Sequence, residues 1–406
     1  MLDPWDALPG EIGYERGLNV ARALAEEGHE VVWWQSSFSH AEKRFRAKQF
    51  CSISLARGLT VFLLPTRAYD SNVSLARLVS IAGYVWQFMY KQRGQARPDA
   101  IMVSGPIFFL EPVLLYLRLR EHIPIVFEFR DLWPESIINA ASGVQRLARQ
   151  VAFAGFRLLR QLLLHWCDGI VGLNASYLAL ARREAGVRSR ARFAVAYPSP
   201  EMPTFRIGPP LRKPVGETWI VSSGALGVSH DYDTLLEVAA LLRERRHDLR
   251  FLITGSGQQA ANIRRNISER ELTNVSFLGA LPSAQFHALL HECDLGLALY
   301  RRFSTVVFPT KIVDYLLAGL GVVTSIQGEV AQVLVQAHAG FFTGPEDPVE
   351  LAELLDRLTG CMGQLAILKQ NAGTLARRFE HDRQIAVITD MLVQVAHARH
   401  VPGASA

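Results

Sequence analysis

The first half of the chain alternates short apolar runs with segments in which apolar residues recur every three or four positions. The recurring segments, for example 15–27 and 74–91, are typical of amphipathic helices. The apolar runs are typical of buried strands. They read EVVWWQS, TVFLLPT, DAIMVSG, IPIVFEFRD, DGIVGLN and RFAVAYPS in chain order. Strands that alternate with helices predict βα units on a parallel sheet.

A proline-rich stretch interrupts this alternation near the middle of the chain. Residues 197–217 contain six prolines, a composition typical of a linker. The alternation then restarts with the runs TWIVSSG, LRFLITGSG, VSFLG, LGLALY and GVVTS. We therefore expect an α/β protein with two doubly wound domains, at 1–197 and 218–380, joined by a linker at 198–217. Ligands would bind at the carboxyl ends of the strands, which we expect to face a crevice between the domains.

Composition narrows the class of protein. A chain of 406 residues exceeds what one core usually supports, and 49% hydrophobic with 20% charged residues indicates a compact fold rather than disorder. The four cysteines form no CxxC pair or Cys/His ligand set, which favours reduced thiols in a cytosolic protein. The chain has an acidic start and no run of about 18 apolar residues, so we expect neither a signal peptide nor a membrane span. A net charge of +5 is compatible with an anionic ligand, an acidic membrane surface or nucleic acid.

Two glycine-containing loops follow strands of the second domain. The loop SSGALGVSHD carries Gly224 and Gly227, and the loop TGSGQQ carries Gly255 and Gly257. Glycine between a strand and a helix lets backbone N–H groups approach an anion at the helix N-terminus. The alternative is that each glycine only makes a tight turn. Neither loop has the GxxxxGK[ST] pattern of a P-loop.

A third segment, VVFPTKIVDYLL, predicts a helix that begins near Thr310 and Lys311 and carries Asp314 about one turn later. The Lys ammonium and the positive end of the helix would suit a diphosphate. The Asp carboxylate could accept hydrogen bonds from ribose hydroxyls. The alternative is an ordinary capped helix, with Thr310 as the cap and Lys311 in solvent.

Three stretches together resemble a known family. They are LPGEIGYERGLNVARALAEEGHEVVWW, FEFRDLWPESI and FPTKIVDYLLAGLGVVTSIQGEVAQVL. They look like the GT-B glycosyltransferases of family 4, in particular the bacterial branch that builds O-antigen and exopolysaccharide. The resemblance implies two Rossmann-like domains, an acceptor-binding one at 1–197 and a nucleotide-sugar-binding one at 218–380. It also implies a C-terminal helix, within 381–406, that crosses back to the N-terminal domain.

The resemblance implies an activity as well. Members transfer a sugar from a nucleotide sugar, with retention of anomeric configuration, and need no metal or other cofactor. We expect the donor here to be a UDP-sugar. The donor-binding residues that the resemblance and the loops indicate are Gly10, Glu11, Gly224, Gly227, Gly255, Gly257, Gly279, Thr310, Lys311, Asp314 and Gly328.

The motif residues of the second domain depart from the family pattern in one place. Asp314 matches the second glutamate of the paired-glutamate motif, which holds the ribose, whereas Val306 stands where the first glutamate would be. We therefore assign the diphosphate to Lys311, and further donor contact to the backbone of Gly328 and Glu329. Glu329 could supply the missing sugar contact.

In the first domain, EFRDLWPES places Arg130 and Asp131 at a strand end. Retaining transfer needs the charge of the leaving diphosphate neutralised and the acceptor hydroxyl deprotonated. Arg130 suits the first role, and Asp131 suits the second or stabilisation of the sugar cation. A buried Arg–Asp pair that fixes the turn is the alternative. Gly10 and Glu11 would approach the diphosphate or the acceptor, or simply form a turn.

The acceptor is expected to be a glycan linked to a polyprenyl diphosphate, at the cytosolic face of the membrane. The segment SHAEKRFRAKQF offers a basic, aromatic surface for that contact. Its candidate residues are His40, Lys43, Arg44, Arg46 and Lys48. The aromatic helix 74–91 could also dock on lipid, although an aromatic stripe that packs into the core is the simpler interpretation.

Two departures leave another function open. The first departure is that Val306 replaces a motif acid. The second is that only MLDPWDAL precedes the first glycine loop. This short segment suggests that the first strand is absent or that the natural reading frame begins upstream of Met1. A degenerate nucleotide-sugar-binding scaffold is therefore the second hypothesis. A nucleotide-sugar epimerase on the same fold is a weaker third.

Overall fold

The computed structural model describes residues 1–11, 15–71, 74–139, 141–201 and 208–398. The chain divides into two compact units. Unit 1 comprises Met1–Tyr197 with Gln384–Ala406, and unit 2 comprises Pro198–Arg383. Parts of the predicted linker (202–207) and of the predicted last segment (399–406) lie outside the described residues.

Unit 1 is a sheet with helices on both faces. Its strands are β1 (Val31–Ser36), β2 (Cys51–Ala56), β3 (Leu59–Leu64), β4 (Ile101–Gly105), β5 (Ile125–Phe129), β6 (Gly169–Gly172) and β7 (Arg192–Val195). Its helices are α1 (Arg16–Glu26), α2 (Leu75–Lys91), α3 (Glu111–Leu119), α4 (Glu135–Asn139), α5 (Gly143–Ala152), α6 (Ala154–Trp166) and α7 (Ala175–Ala185). Strands β4, β5 and β6 are buried along their whole length because helices cover both sides, which explains their continuous apolar sequences.

The first residues of the chain join two groups of strands, β1-β3-β2 and β4-β5-β6-β7. Leu2 bridges Trp34 of β1 and Val103 of β4, in parallel with both. Its N–H donates to the carbonyl of Met102 (2.8 Å), and its carbonyl accepts from the N–H of Ser104 (3.0 Å). Leu2 thus lies between β1 and β4 and pairs with both, so the two groups of strands are joined. All the pairings are parallel except that of β2 with β3.

Unit 2 is a six-stranded parallel sheet. Its strands are β8 (Thr218–Ala225), β9 (Leu249–Ser256), β10 (Val275–Gly279), β11 (Leu295–Ala298), β12 (Gly321–Thr324) and β13 (Gly340–Phe342), in the order β10-β9-β8-β11-β12-β13. Its helices are α8 (Tyr232–Arg243), α9 (Ala260–Glu269), α10 (Ser283–Glu292), α11 (Thr310–Leu317), α12 (Glu329–Gln336), α13 (Pro348–Thr359) and α14 (Met362–Ala376). The crossover order is that of a doubly wound sheet, in which the switch between β8 and β11 opens a crevice at the carboxyl ends of the strands.

The last helix, α15 (His381–His397), belongs to unit 1 from Gln384 onward. Ile388 and Met391 of α15 are part of an apolar cluster with Val20 of α1 and Val126 of β5. The side-chain oxygen of Gln384 accepts a hydrogen bond from the N–H of Tyr197 (2.8 Å). The C-terminal end of the chain thus completes the core of the unit that the N-terminal end begins.

Candidate functional site

A cleft of about 610 Å³ opens in unit 2 at the carboxyl ends of its central strands. It lies where β8 and β9 end and where α11 begins, the position at which doubly wound sheets bind ligands. Its lining residues are Ser223, Gly224, Ala225, His230, Thr254, Gly255, Ser256, Ala280, Leu281, Phe286, Tyr300, Val306, Pro309, Thr310, Lys311 and Asp314. The sequence prediction named five of these as donor-binding residues: Gly224, Gly255, Thr310, Lys311 and Asp314.

Lys311 is the main charged group of this cleft. It is the second residue of α11 and is only 7% exposed. It forms no ion pair at contact distance with any residue that the structure describes, and Asp314 is the charge that supports it from one turn away. Burial lowers the pKa of Lys311 from its usual 10.5 to about 7. A buried ammonium without a direct counter-ion is costly, so the site favours an incoming anion.

The start of α11 adds to this preference. Its N-cap is Pro309, and no side chain caps the helix. Thr310 is the first helical residue, so the alternative in which Thr310 caps the helix and Lys311 extends into solvent is wrong. An uncapped N-terminus presents backbone N–H groups and the positive end of the helix dipole. These groups and the ammonium of Lys311 lie at the same cleft.

Asp314 lies one turn further along α11 and contacts a histidine. Nε2 of His287, on α10, is 3.4 Å from Oδ1 of Asp314. Burial raises the pKa of Asp314 to about 7, and Lys311 opposes that rise. Burial also lowers the pKa of His287, so the imidazole is held towards its neutral form. Asp314 thus contacts His287 and lines the cleft.

The two glycine loops touch each other. Gly224 and Gly255 are opposite one another in the β8–β9 pairing, with φ of +112° and +139°. A Cβ on Gly255 would lie 1.8 Å from the carbonyl oxygen of Gly224. Close packing of the two strand ends thus requires glycine at 255, which is the structural alternative considered above. The same packing leaves backbone rather than side chains at the wall of the cleft.

Several predicted donor-binding residues lie outside this lining. They are Gly227, Gly257, Gly279, Gly328 and Glu329. A Cβ on Gly257 would meet the carbonyl of Leu226 at 2.7 Å, so Gly257 has a packing role. The backbone carbonyl of Gly279 accepts from the hydroxyl of Thr254 (2.8 Å). Gly328, with φ of +88°, precedes the first residue of α12, Glu329. Donor contact at these five positions stays a prediction.

Two aromatic rings of the cleft were not predicted. Tyr300 follows β11 and lies 5.3 Å, by its ring centroid, from Nζ of Lys311. The ring of His230 lies 4.5 Å from that of Tyr300, and burial together with Lys311 lowers the pKa of His230 to about 4. His230 is therefore neutral near pH 7. The rule that the residues just after parallel strands line the ligand site would have identified Tyr300, which ends the run LGLALY.

Arg130 of unit 1 lies in a cluster of buried charges. Its guanidinium pairs with Asp3, with Asp6 (3.0 Å) and with Glu128 (3.6 Å). Arg16 pairs with the other side of Glu128 at 2.6 Å. The predicted alternative, a pair between Arg130 and Asp131, is wrong in its partner. Three carboxylates already surround Arg130, and Asp131 has no contact-distance ion pair in the described part of the chain.

The charges of this cluster are closely balanced. Burial raises the pKa of Asp6 to about 8 although Arg130 lowers it, whereas Arg130 and Arg16 hold the pKa of Glu128 below its usual range despite burial. Asp6 also accepts the N–H of Gly17 at 2.6 Å. The cluster thereby fixes the first residues of the chain to the start of α1 and to the end of β5.

Glu11 has a buried partner that the sequence did not indicate. Its carboxylate accepts from the guanidinium of Arg46 at 2.6 Å and from the N–H of Leu8 at 3.0 Å. Arg46 also donates to the carbonyl of Asp6 (2.8 Å), and its side chain is 3% exposed. Glu11 therefore closes a turn in this structure, and Pro9 and Gly10 are its exposed residues, with a φ of +83° at Gly10.

This geometry corrects the predicted basic surface at residues 40–48. Arg46 is buried against Glu11, and Arg44 pairs with Glu42 at 2.7 Å. Lys43 lies 4.6 Å from the ring of Tyr69, and Lys48 is exposed. The patch is thus less positive than the sequence suggested.

His40 is the last member of that predicted surface. Its Nδ1 is 2.7 Å from the hydroxyl of Tyr69. Burial, with Arg77 and Lys43 nearby, lowers the pKa of His40 to about 4. A neutral ring bound to a tyrosine is typical of a structural histidine.

The aromatic helix α2 has some aromatic side chains in the core and others exposed at the surface. Tyr84 and Phe88 are buried in the core, whereas Trp86 and Tyr90 stack on each other at 6.4 Å and are each 64% exposed.

Among the described residues, no helix is long and apolar enough to cross a membrane. In the same residues, no three His, Cys, Asp or Glu side chains form a group that could hold a metal ion.

Two family profiles match the chain. Residues 206–374 match the family described as Glycosyl transferases group 1, and residues 17–198 match Glycosyltransferase Family 4. Together the two matches span most of both units. The two matches together identify the chain as a glycosyltransferase. The recognition made from sequence motifs is confirmed, and so is the prediction that the protein is a glycosyltransferase.

Curated relatives are bacterial glycosyltransferases of low identity. The putative colanic acid biosynthesis glycosyl transferase WcaI of Escherichia coli K12 is 23% identical over 321 residues, which cover 73% of this chain and 75% of the relative. The probable glycosyltransferase WbjE of Pseudomonas aeruginosa is 22% identical over 303 residues, which cover 71% and 73%.

Solved structures share the fold over nearly the whole chain. A sucrose-phosphate synthase from Thermosynechococcus elongatus superposes with a TM-score of 0.68 at 16% identity, covering 94% of this chain and 92% of that one. HepE from Anabaena, solved in complex with UDP, gives a TM-score of 0.67 at 15% identity, covering 97% and 99%. The predicted GT-B fold is confirmed.

The buried ammonium of Lys311 gives a prediction for stability. With a pKa near 7 in the folded state and near 10.5 in the unfolded state, Lys311 is charged at an unfavourable cost below pH 7. Between pH 7 and pH 10.5 the lysine is protonated in the unfolded state and neutral in the folded state. The loss of unfolding free energy caused by burying Lys311 therefore becomes smaller as the pH rises towards 10.5. We expect the free energy of unfolding of Lys311→Met, measured by urea denaturation, to exceed that of wild type by ~1–3 kcal/mol near pH 6.5. This difference should disappear near pH 10.

The matched control is Lys48→Met, since Lys48 is an exposed lysine of unit 1. It should change the free energy of unfolding by less than about 0.5 kcal/mol at either pH. An equal effect of Lys311→Met at both pH values would show that Lys311 is charged at no cost in the folded protein.

Proposed function

We propose that the cleft of unit 2 binds the nucleoside diphosphate of a nucleotide sugar, which is the donor in a glycosyl transfer. The observation that carries this proposal is the buried ammonium of Lys311, which has no contact-distance counter-ion in the described residues and lies at an uncapped helix start. A diphosphate would supply the missing negative charge, and its oxygens would accept hydrogen bonds from Lys311 and from the backbone. HepE, a structural neighbour, was solved with UDP, which supports UDP as the nucleotide.

The neighbouring residues suit the rest of the donor. Asp314 can accept hydrogen bonds from ribose hydroxyls, although its side chain is one methylene shorter than the glutamate that the family resemblance implies. Val306 lines the cleft where the resemblance places a sugar-binding acid, and it offers no hydrogen bond. We propose that Glu329 supplies that contact, with the backbone of Gly328 next to the phosphate. Tyr300 and His230 would form an apolar and neutral wall.

For the chemical step we propose retention of anomeric configuration without a metal ion. Lys311 and the start of α11 would stabilise the leaving diphosphate, which is the charge that develops in the transition state. Asp131 would accept the proton of the acceptor hydroxyl or stabilise the sugar cation. Arg130 is held by three carboxylates, so we assign it the role of orienting the turn that carries Asp131.

The acceptor proposal is supported by the curated relatives. WcaI carries the name of a putative glycosyl transferase of colanic acid biosynthesis. We propose that this chain adds a hexosyl or N-acetylhexosaminyl unit to a glycan linked to a polyprenyl diphosphate. The acceptor would lie in the cytosolic leaflet of the cell membrane.

A second function is favoured by one observation, the apolar Val306 in the cleft. A chain that binds the nucleotide sugar without transferring the sugar would act as a regulatory or scaffolding protein. An assay of the wild type with radiolabelled UDP-sugars and a synthetic polyprenyl-diphosphate acceptor separates the two functions. Binding of UDP with no sugar transferred or hydrolysed would favour the scaffold, and conversion to a UDP-linked isomer would favour an epimerase.

The nucleotide site gives a binding prediction. Lys311→Met should weaken UDP binding by about 1.5–3 kcal/mol, roughly 10- to 100-fold, because a charge-assisted contact is lost while the length of the side chain is kept. Isothermal titration calorimetry would measure it, with Lys48→Met as the control that keeps wild-type affinity. Unchanged affinity for UDP in Lys311→Met would remove Lys311 from the site.

The chemical step gives a second prediction. Asp131→Asn should reduce turnover by roughly 100-fold or more and leave UDP affinity within about twofold, since the amide keeps the shape and removes the proton acceptor. Asp390→Asn, an exposed acid on α15, is the matched control and should keep wild-type turnover. If Asp131→Asn lowers the melting temperature and the activity in parallel, the role of Asp131 is structural.

A further inference from the structure

Strand β7 forms one edge of the sheet of unit 1. In the described part of the chain it pairs with β6 alone. The N–H groups of Arg192 and Ala196 donate to carbonyls at either end of β6, at 2.9 Å and 3.0 Å. Because alternate residues of a strand face the same side, the N–H and C=O groups of Phe193 and Val195 point away from β6. Neither of these two residues exchanges a backbone hydrogen bond with another described segment, so the edge can accept a further strand.

Exposed arginines surround the start of this edge. Residues 181–193 contain five arginines, no lysine and one acid, Glu184. Glu184 pairs with the buried Arg160 at 2.6 Å, and none of the five arginines forms an ion pair with a described residue. We call these five residues the arginine edge. They are all exposed, at Arg182, Arg183, Arg188, Arg190 and Arg192.

The arginine edge reaches both faces of the strand. The guanidinium of Arg182, on α7, lies 4.8 Å from the ring centroid of Phe193. On the opposite face, Nη1 of Arg192 donates to the side-chain oxygen of Gln394 of α15 at 3.2 Å. Val187, in the turn between α7 and β7, is 103% exposed. An extended chain beside β7 would alternate its side chains between the two faces, so its acidic side chains would meet an arginine on either face.

The position of the arginine edge argues against a lipid surface. Strands β4 to β7 are parallel, so the turn between α7 and β7 lies at the amino ends of the strands. Asp131 follows the carboxyl end of β5. A leaflet at the amino ends would therefore lie opposite to the side on which we propose that the acceptor reacts.

The chemistry of the edge favours a polypeptide partner. Lipid headgroups and nucleic acids have no peptide groups with which to form a ladder on β7. A second copy of the same edge would bring five arginines against five, which is unfavourable. An acidic segment of another protein matches both features, since its backbone can pair with β7 and the guanidinium fork binds carboxylates.

We propose that β7 binds an extended acidic segment of a partner protein, which adds to the sheet of unit 1 as a further strand. The backbone of Phe193 and Val195 would form the ladder, and the arginine edge would pair with the carboxylates of the segment. This interaction does not depend on the proposed function, whose nucleotide cleft is in unit 2.

The test measures the binding of fluorescent peptides to the full chain by anisotropy at low salt. A peptide of four Glu-Thr repeats should bind the wild type, because it combines alternating carboxylates with a backbone that can extend as a strand. Four Gln-Thr repeats, which lack the charge, should bind at least ~10-fold more weakly. The Glu-Thr peptide made with D-threonine keeps the charge but cannot form a regular strand, and it should be weakened by at least ~10-fold as well.

Variants of the protein test the same two features. Arg188→Gln/Arg190→Gln should bind the Glu-Thr peptide at least ~5-fold more weakly. The matched control, Arg264→Gln/Arg265→Gln, changes two exposed arginines of α9 in unit 2 and should bind as the wild type does. Val195→Pro removes one outward N–H and should weaken binding about 3- to 10-fold, whereas Val195→Thr keeps this N–H and should bind normally.

Four outcomes would overturn the proposal. Three of them are a wild type that does not bind the Glu-Thr peptide, equal affinity for the D-threonine peptide, and an equal loss of binding in the α9 control. The fourth is a wild type that binds phosphatidylglycerol vesicles or a single-stranded oligonucleotide through the arginine edge more tightly than the peptide. If Val195→Pro lowers the melting temperature, the D-threonine comparison on the wild type still tests strand addition.

UDP titration of every variant keeps this proposal separate from the proposed function. Lost peptide binding with normal UDP affinity concerns the partner segment alone. Lost UDP affinity in the wild type concerns the proposed function alone.

Discussion

Unit 1 depends on a buried cluster in which two arginines, Arg16 and Arg130, share the carboxylates of Asp3, Asp6 and Glu128. Arg16 also donates to the carbonyls of Ala196 (2.7 Å) and Tyr197 (2.8 Å), so the cluster reaches the last residues before unit 2. Such a cluster contributes little net stability, because desolvation offsets the attraction. Losing one member is different: it leaves an unpaired buried charge at a cost of about 3–5 kcal/mol. The cluster therefore fixes geometry, and the geometry it fixes is the turn that presents Asp131.

In contrast to the paired charges of unit 1, unit 2 has a buried lysine without a direct counter-ion among the described residues. Lys311 has a helix start, an aromatic ring and a distant carboxylate around it, but no contact-distance counter-ion in the part of the chain described. The same burial that lowers the pKa of Lys311 raises that of Asp314, and each group shifts towards its neutral form. The charged form of the buried lysine is unfavourable in the empty cleft. An anion that binds beside the lysine would stabilise this charged form, which favours anion binding. Perturbed pKa values of this kind are common where polar groups are pre-organised for a ligand.

The surface of unit 1 shows why charge counted along a sequence is a poor guide to exposed charge. The segment at 40–48 looks basic, but Arg46 is drawn inward by Glu11, 35 residues earlier in the chain. The segment at 143–166 looks like an ordinary amphipathic helix pair, and only the contacts of Arg149 with α4 reveal that α5 is turned outward. Periodicity fixes which residues share a face, but it does not say which way that face points.

The sequence by itself determined the class and the family of this protein. Alternating apolar runs and helical segments require βα units because a strand buried on both faces must be apolar throughout, and this pattern needs no long-range information. The motif around Lys311 also predicted a helix that begins near Thr310, as the structure has it, since a helix terminus is a local feature. Tertiary structure decided the rest. Two partners of Arg130, Asp3 and Asp6, lie more than 120 residues away along the chain, and the bridge made by Leu2 depends on β1 and β4, which come later in the sequence. Contacts of this kind come from packing of distant segments against one another, so no local pattern encodes them.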